Sequence, residues 1–249
     1  MVMHSMRKSP ERYSSTRLFV SPHSDDVAFS CGGYIASHLG PGNTLLTVFS
    51  RSCWNASEGR QPGSLQRITN IRREEDTEFA LRVGFRRVAL DLPDSSARGY
   101  SQKLEYDNAP YSDVMMAPLR RELSSALATA GPMAAVYVPL GVGHHIDHLL
   151  VRDMVTELCP SDILVYYEDL PHALRFAEAQ IRKVAKDVSV LLKPMEIDIS
   201  NTWKTKRELV LVYKSQIGPT TVRRIRMYAS RVGRGGLAER FWLANSLLL

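Results

Sequence analysis

The chain has 249 residues, of which 44% are hydrophobic and 23% charged, with three cysteines and a net charge of +6. These values fit one large α/β domain, and an odd cysteine count without a CxxC pair argues against a disulfide framework or a cysteine zinc site. No run approaches the roughly 18 apolar residues of a membrane span. We therefore expect a soluble protein in the reducing cytoplasm.

The first residues, MVMHSMRKSPERYSSTR, are polar and lack the apolar core of a signal peptide. We expect residues 1–16 to form a mobile N-terminal tail. The remaining residues, 17–249, are expected to form a single domain.

Short apolar runs alternate with amphipathic segments from residue 18 onward. The segments GGYIASHL, NIRREEDTEFALRV, APLRRELSSALATA and DHLLVRDMVTEL have apolar residues at helical spacing. The alternation predicts right-handed βαβ crossovers, and hence a Rossmann-like three-layer α/β sandwich with a mainly parallel sheet. Ligands of such sheets bind beyond the carboxyl ends of the strands. The runs that predict strands are 18–20, 44–50, 87–92, 134–140 and 162–168.

Five further segments carry predictions. The polar connections 51–71 and 93–114 follow predicted strands, so they are candidate binding loops. Later, VSVLLKPMEIDI predicts an edge strand and NTWKTKRELVLVYKS a helix. The basic segment TVRRIRMYASRVGRGG is typical of a solvated helix face, with an anionic substrate or a membrane surface as alternatives. Its arginines are Arg223, Arg224, Arg226, Arg231 and Arg234.

Polar side chains gather where three of the predicted strands end. Because the carboxyl ends of parallel strands meet at one edge of a sheet, we expect these groups to lie close together. Burying so many hydrated groups is costly unless they are paired or bind a metal. The three clusters are His23-Ser24-Asp25-Asp26, Gly143-His144-His145-Ile146-Asp147-His148 and Glu168-Asp169.

Imidazole and carboxylate groups are the ligands that catalytic zinc uses, commonly three from the protein with water in the fourth position. One His and one Asp of the first cluster with one His of the second would complete that set. Asp25 would then be left as a general base. The alternative for Asp25 and Asp26 is a cap on the following helix. Spacing leaves open whether His144, His145 or His148 is the third ligand.

These residues resemble the PIG-L/LmbE-like zinc-dependent N-deacetylases, whose hallmark is an (A/P)HPDD motif with a downstream HxDH. The matching stretches are PHSDDVAFSCGG and PLGVGHHIDH. More narrowly, DDVAFSCGG, RREED, LDLPD and YYEDLPHA, with the late KSQI and ERFW, resemble the bacterial branch of natural-product and amino-sugar deacetylases. The resemblance spans residues 17–242, nearly the whole chain.

The resemblance implies a role for each matched residue. Asp25 corresponds to the general base for the attacking water. His145 corresponds to the residue that stabilises the oxyanion or protonates the leaving amine, and Asp147 to a carboxylate that orients His145 or balances its charge. The implied zinc ligands are His23, Asp26 and His148.

Substrate contacts follow from the same resemblance. In related sugar deacetylases an RxxE arginine and an aspartate after the next strand contact sugar hydroxyls, and Arg72 and Asp94 match them. The alternative for Arg72 is a surface salt bridge to Asp76, four residues on. Glu168 and Asp169 are expected to line the pocket, with a cap on the next helix as their alternative.

The implied function is a hydrolase that removes an N-acyl group, acetyl in the first instance, from an amino sugar or its conjugate. Zn²⁺ is the expected cofactor, with Fe²⁺ as the alternative. A small N-acylated amino sugar is the expected partner, without nucleic acid or a membrane span, and a homo-oligomer is compatible with these features. The nearest alternative is an amidase that acts on a thiol conjugate or another non-sugar amide.

Two other functions fit the sequence less well. A dinucleotide-binding oxidoreductase would need GxGxxG in the first turn, where this chain has SPHSDDVAFSCGG. A nucleic-acid-binding module would account for the pI of about 9.3 but would leave the histidine and aspartate clusters unused. Salt-dependent retention of the protein on DNA, without bound metal, would favour the nucleic-acid-binding module.

Overall fold

The computed structural model describes residues 16–56, 64–100, 113–218 and 220–244. Residues 1–15 of the expected tail lie outside this part, as do 57–63 and 101–112 of the two long connections. The strands are β1 (Arg17–Ser21), β2 (Thr44–Thr47), β3 (Arg86–Ala89), β4 (Ala135–Pro139), β5 (Leu164–Tyr167), β6 (Lys193–Asp198) and β7 (Ala238–Leu243). The helices are α1 (Asp26–His38), α2 (Leu65–Val83), α3 (Met116–Ala130), α4 (Ile146–Leu158), α5 (Glu178–Val188), α6 (Trp203–Val210) and α7 (Thr221–Gly233).

The seven strands form one mixed sheet in the order β3-β2-β1-β4-β5-β7-β6. Strands β1 to β5 pair in parallel, whereas β7 runs antiparallel to both β5 and β6. Every residue of β2, β4 and β5 is buried. Burial on both faces requires cover on both sides of the sheet, which explains the continuous apolar runs in the sequence. The predicted α/β class with a mainly parallel sheet is confirmed.

The order of the strands places a topological switch point between β1 and β4. From β1 the chain proceeds outward through β2 and β3, and then returns to the other side of β1 as β4. The loops after β1 and β4 therefore diverge and leave a crevice at the carboxyl edge, where open α/β sheets bind their ligands.

The C-terminal third departs in one respect from the predicted elements. The edge strand within VSVLLKPMEIDI is β6 and the helix within NTWKTKRELVLVYKS is α6, as expected. The stretch ERFW, noted in the sequence only as a motif, lies in β7 between β5 and β6. The basic segment forms α7, which buries Ile225, Tyr228, Ala229 and Val232 and leaves most of its arginines exposed.

Helix α1 begins in the first polar cluster, and close packing further along the helix fixes its position. A Cβ atom at Gly33 would lie 2.7 Å from Ile199 Cγ2, so only glycine allows this approach. The buried Glu239 carboxylate of β7 accepts from the backbone N–H groups of Gly33 and Tyr34 at 2.8 and 2.7 Å, and from Lys206 Nζ at 2.5 Å. These bonds offset the cost of burying the charged pair and fix the helix against the sheet.

Among the helices of the described part of the chain, we find none with the length and apolar character needed to cross a membrane.

Candidate metal centre and active site

The first polar cluster follows β1 and leads directly into α1. The backbone N–H of His23 donates to Asp26 Oδ2 at 2.8 Å, which holds the Asp26 carboxylate in the first turn of the helix. The positive end of the helix dipole favours a carboxylate there. Asp25 occupies the N-cap position, but its side chain makes no capping hydrogen bond. The alternative of Asp25 as a helix cap is therefore wrong.

The second cluster follows β4 and leads into α4. His145 is the N-cap residue, and its Nδ1 accepts from the backbone N–H of Asp147 at 3.2 Å. This turn directs His148 into the interior, where it is fully buried. His148 Nδ1 donates to Asp169 Oδ1 at 2.6 Å, and Asp169 Oδ2 accepts from the backbone N–H of Val142. The carboxylate after β5 thus orients the imidazole after β4.

The two clusters converge on one point. Asp26 Oδ2 lies 3.4 Å from both His23 Nδ1 and His148 Nε2. Zinc held tetrahedrally at 2.0–2.1 Å spaces its ligand atoms roughly 3.3–3.4 Å apart, so these separations suit a bound metal ion. His148 Nε2 is buried and has no hydrogen-bond partner among the described residues, as expected of a nitrogen that ligates metal. The donor set fits zinc.

A second ligand set has to be considered. Each of His23, His145 and His148 places a ring nitrogen within 4.8 Å of the other two. His145, however, uses Nδ1 as the helix cap, whereas Asp26 Oδ2 sits at tetrahedral spacing from both other ligand atoms. We therefore favour Asp26 over His145 as the third ligand.

The carboxylate of Asp147 orients His23, a contact that the sequence did not predict. Asp147 Oδ2 accepts from His23 Nε2 and from the backbone N–H of Ser95, both at 2.9 Å, and Oδ1 accepts from Arg98 at 2.8 Å. His145 Nδ1 accepts from the backbone N–H of Asp147. Burial lowers the pKa of His145, and the charge of Asp147 opposes that larger effect. The expected charge balance toward His145 is therefore present, and the carboxylate also holds the imidazole of His23.

Asp25 is paired with a residue from α2. Arg72 donates to Asp25 Oδ1 at 3.1 Å and to Ser52 Oγ at 3.1 Å, and it lies 3.9 Å from Asp94 Oδ2. The alternative salt bridge from Arg72 to Asp76 is wrong. Asp76 faces the other way, where it accepts hydrogen bonds from Arg87, Thr47 and Tyr213.

The surroundings shift the proton affinities of these groups. Burial raises the pKa of Asp25 above its usual value although the Arg72 charge opposes it, so this carboxylate is a stronger base than one in water. Burial lowers the pKa of His145 well below its usual value. Burial alone would raise the pKa of Asp147, but the hydrogen bond with His23 and the charge of Arg98 lower it. His145 is therefore neutral and Asp147 ionised.

A cavity of about 750 Å³ opens onto this centre. His23, Asp25, Asp26 and His145 line it, as do Arg72 and Asp94, the two residues for which the resemblance implies sugar contacts. The rest of the lining includes Arg224 of the basic segment and residues to which the sequence assigned no role. These remaining residues are Phe29, Trp54, Ala56, Ser95, Ser96, Pro171, His172, Arg175, Gln216 and Arg224.

Glu168 is not among the residues that line the cavity, so the expectation of a substrate contact is wrong. It is 3% exposed, and its Oε1 accepts from Arg240 Nε at 2.6 Å and from Trp242 Nε1 at 2.9 Å. Tyr228 donates to its other oxygen. Glu168 and Asp169 follow the end of β5, and their side chains diverge, Glu168 toward Arg240 and Trp242 of β7 and Asp169 toward His148.

Asp169, which was expected to line the pocket together with Glu168, is not among the residues that line the cavity and orients His148 instead. Sequence reasoning assigned no role to His172, which lies inside YYEDLPHA, the motif used for the family resemblance. His172 lines the cavity, with its ring centroid 5.0 Å from that of His148 and 5.6 Å from that of His145. Its position in that motif was the available signal.

Comparisons with known proteins agree with this geometry. The model of the family PIG-L, described as GlcNAc-PI de-N-acetylase, matches residues 18–159. The 2'-N-acetylparomamine deacetylase of Streptomyces fradiae is 32% identical over 218 residues, which cover 86% of this chain and 78% of that protein.

Solved structures share the fold. A deacetylase of the teicoplanin biosynthesis pathway aligns with a TM-score of 0.71 at 20% identity, over 92% of this chain and 97% of that one. The N,N'-diacetylchitobiose deacetylase of Pyrococcus horikoshii aligns with a TM-score of 0.64 at 19% identity, over 91% and 82%. With its sequence match over more than half of the chain and a deacetylase relative across most of it, the protein belongs to the PIG-L family of de-N-acetylases.

Proposed function

We propose that the protein is a zinc-dependent N-deacetylase that hydrolyses the acetamido group of an amino sugar within a natural product. The observation that carries this proposal is the convergence of His23 Nδ1, Asp26 Oδ2 and His148 Nε2, with the Asp25 carboxylate beside them. The relatives act on N-acetylated amino sugars by their names, 2'-N-acetylparomamine and N,N'-diacetylchitobiose.

His23, Asp26 and His148 would hold the metal ion, with Fe²⁺ as the alternative to Zn²⁺. When bound, such an ion supplies a Lewis acid for the amide carbonyl and makes water easier to deprotonate. The carboxylates of Asp147 and Asp169 keep the two imidazoles in position through the ring nitrogens that face away from the ion.

Asp25 acts as the general base. Arg72 fixes one of its oxygens, and its raised pKa lets it take a proton from the attacking water. As the water oxygen bonds to the amide carbon, the π electrons of the carbonyl move onto the carbonyl oxygen. These electrons then re-form the carbonyl, the C–N bond breaks with its electron pair going to the nitrogen, and the proton held by Asp25 passes to that nitrogen, because an amide nitrogen leaves poorly as an anion. Acetate and a free amine are released.

His145 contributes a neutral hydrogen-bond donor. Its Nδ1 accepts from a backbone N–H, so the ring proton resides on Nε2. That N–H can stabilise the negative charge that develops on the carbonyl oxygen. The lowered pKa of His145 keeps the imidazole neutral, so it places no positive charge beside the metal ion.

The sugar would be held by Arg72 of α2 and by Asp94 of the loop after β3. Both side chains line the cavity, and charged groups of this kind bind hydroxyls.

We further propose that residues 17–249 form the catalytic unit as one domain. We also propose a cytoplasmic location, where proteins do not depend on disulfides.

The test measures acetate release by the purified, zinc-loaded protein from 2'-N-acetylparomamine and N-acetylglucosamine, with an N-acetylated thiol conjugate as the alternative substrate. His148→Ala should lose both zinc and activity, and His38→Ala, changed at an exposed position, should lose neither. Hydrolysis of the thiol conjugate alone would support the non-sugar amidase. Activity that persists without metal in His148→Ala would refute the proposed centre.

A further inference from the structure

One histidine of the cavity has no part in the mechanism above. His172 belongs to the short 3-10 turn His172–Arg175 after β5. Its ring is set at 80° to that of His148 and at 47° to that of His145. An imidazole this close to one metal ligand and to the proposed donor is within reach of a group bound between them.

The loop that carries His172 is fixed at several points. The backbone N–H of Leu170 donates to Ser30 Oγ of α1 at 3.1 Å, and that of Ala173 donates to the carbonyl oxygen of Asp169 at 2.7 Å. The Asp169 carboxylate in turn holds His148. His172 is therefore positioned by the same contacts that position the metal centre, as required of a group that acts in catalysis.

The loop after β4 is shaped to accept His172. Gly143 adopts a φ of +96°, and a Cβ atom there would lie 2.8 Å from His172 Cβ. Any other residue at position 143 would be strained and would displace the histidine. The two loops meet at this point, beside His145.

The strand order puts His172 on the flank opposite the base. Asp25 follows β1 and is paired with Arg72, next to the β2 and β3 loops, whereas His172 follows β5. Strands β1 and β5 are separated by β4, so they are two strand spacings, or roughly 10 Å, apart. The attacking water must lie between Asp25 and the amide carbon, so the carbonyl oxygen of the substrate should face away from Asp25.

We propose that His172 is a catalytic residue that donates a hydrogen bond to the carbonyl oxygen of the scissile amide, together with His145. The bond strengthens as the carbonyl electrons move onto that oxygen and weakens when the carbonyl reforms and the amine leaves. The ring transfers no proton, and an imidazole has an N–H to donate in either protonation state. This inference rests on the proposed deacetylase function.

The test compares His172→Phe, which removes the donor and keeps an aromatic ring, with His172→Gln, which keeps a donor. His38→Phe is the matched control at the exposed end of α1. For each zinc-loaded variant we would measure zinc content, kcat and KM for 2'-N-acetylparomamine, and the affinity for glucosamine and for its N-methylphosphonyl derivative, whose tetrahedral phosphorus mimics the oxyanion.

Loss of one oxyanion donor lowers kcat by roughly 10²–10³-fold. We expect that loss in His172→Phe, with unchanged zinc content and glucosamine affinity, weaker binding of the phosphonyl derivative, and recovery of about tenfold or more in His172→Gln. An active wild type with a fully active His172→Phe would overturn the role of His172 alone, as would loss of zinc from that variant. A wild type inactive on every N-acetylated probe would overturn the proposed function and this inference with it.

Discussion

The imidazole of His23 donates through Nε2 to Asp147 Oδ2 at 2.9 Å, which directs its Nδ1 toward Asp26. A carboxylate from the start of α4 thereby orients a ligand that follows β1, 124 residues earlier in the chain. Asp169 does the same for His148. The proposed metal centre thus depends on two carboxylates that are not themselves proposed ligands.

Asp147→Asn and Asp169→Asn should each weaken zinc binding roughly 10–100-fold, because the loss of an orienting carboxylate reduces ligand basicity and leaves the ring free to rotate. Competition with a chromogenic chelator measures the affinity, and a thermal melt confirms that the variant is folded. Asp187→Asn, at an exposed position of α5, serves as the matched control. Wild-type affinity in both site variants would contradict this view of the centre.

Asp25→Asn should lower kcat by roughly 10²–10⁴-fold, the usual contribution of a general base. Zinc content should stay at the wild-type level, because the closest charged partner of Asp25 is Arg72 and not a metal ligand. Steady-state kinetics and metal analysis on the same sample test both statements. If the variant instead loses zinc, Asp25 is a ligand.

Zinc should stabilise the folded protein, because the ligands converge only in the native state. At a free concentration of 100 times Kd, the free energy of unfolding should rise by about 2.7 kcal/mol. Denaturant titrations with and without zinc measure the difference, and a chelator should reverse it. His148→Ala should remove the effect, and a zinc-dependent shift that survives in this variant would place the metal elsewhere.

Glu168→Ala should lower the free energy of unfolding by about 3–5 kcal/mol, because it leaves the buried Arg240 without the carboxylate that it contacts at 2.6 Å. KM should be unchanged in the folded fraction. Glu208→Ala, an exposed change in α6, is the control for stability. An increase in KM without loss of stability would restore Glu168 as a substrate contact.

Much of the fold is encoded locally. The apolar runs that become β1, β2, β4 and β5 are recognisable because both faces of these strands are buried, so the residues in them are apolar or small apart from Arg17 at the start of β1. The loop that follows each strand then carries its polar residues to one edge. His23, Asp26 and His148 were therefore predictable as a cluster, and the family motifs named them individually.

Pairing between distant segments was not predictable. Local patterning gives no indication that the Asp147 carboxylate bonds to His23, or that Arg72 pairs with Asp25 rather than with Asp76. Both contacts depend on the rotation of a helix, α4 for Asp147 and α2 for Arg72, relative to the loop after β1. The wrong prediction for Glu168 has a similar cause. Neighbouring residues of an extended segment point to opposite sides, and the sequence does not show which side faces the cavity.

The sequence by itself determined the α/β class, the family and the chemistry of the site, because periodicity and donor types are properties of short stretches. Only the tertiary structure decided which carboxylate orients which histidine, that β7 inserts between β5 and β6, and that His172 joins the cavity. These contacts join residues from separate loops, and their geometry exists only once the strands have taken their order in the sheet.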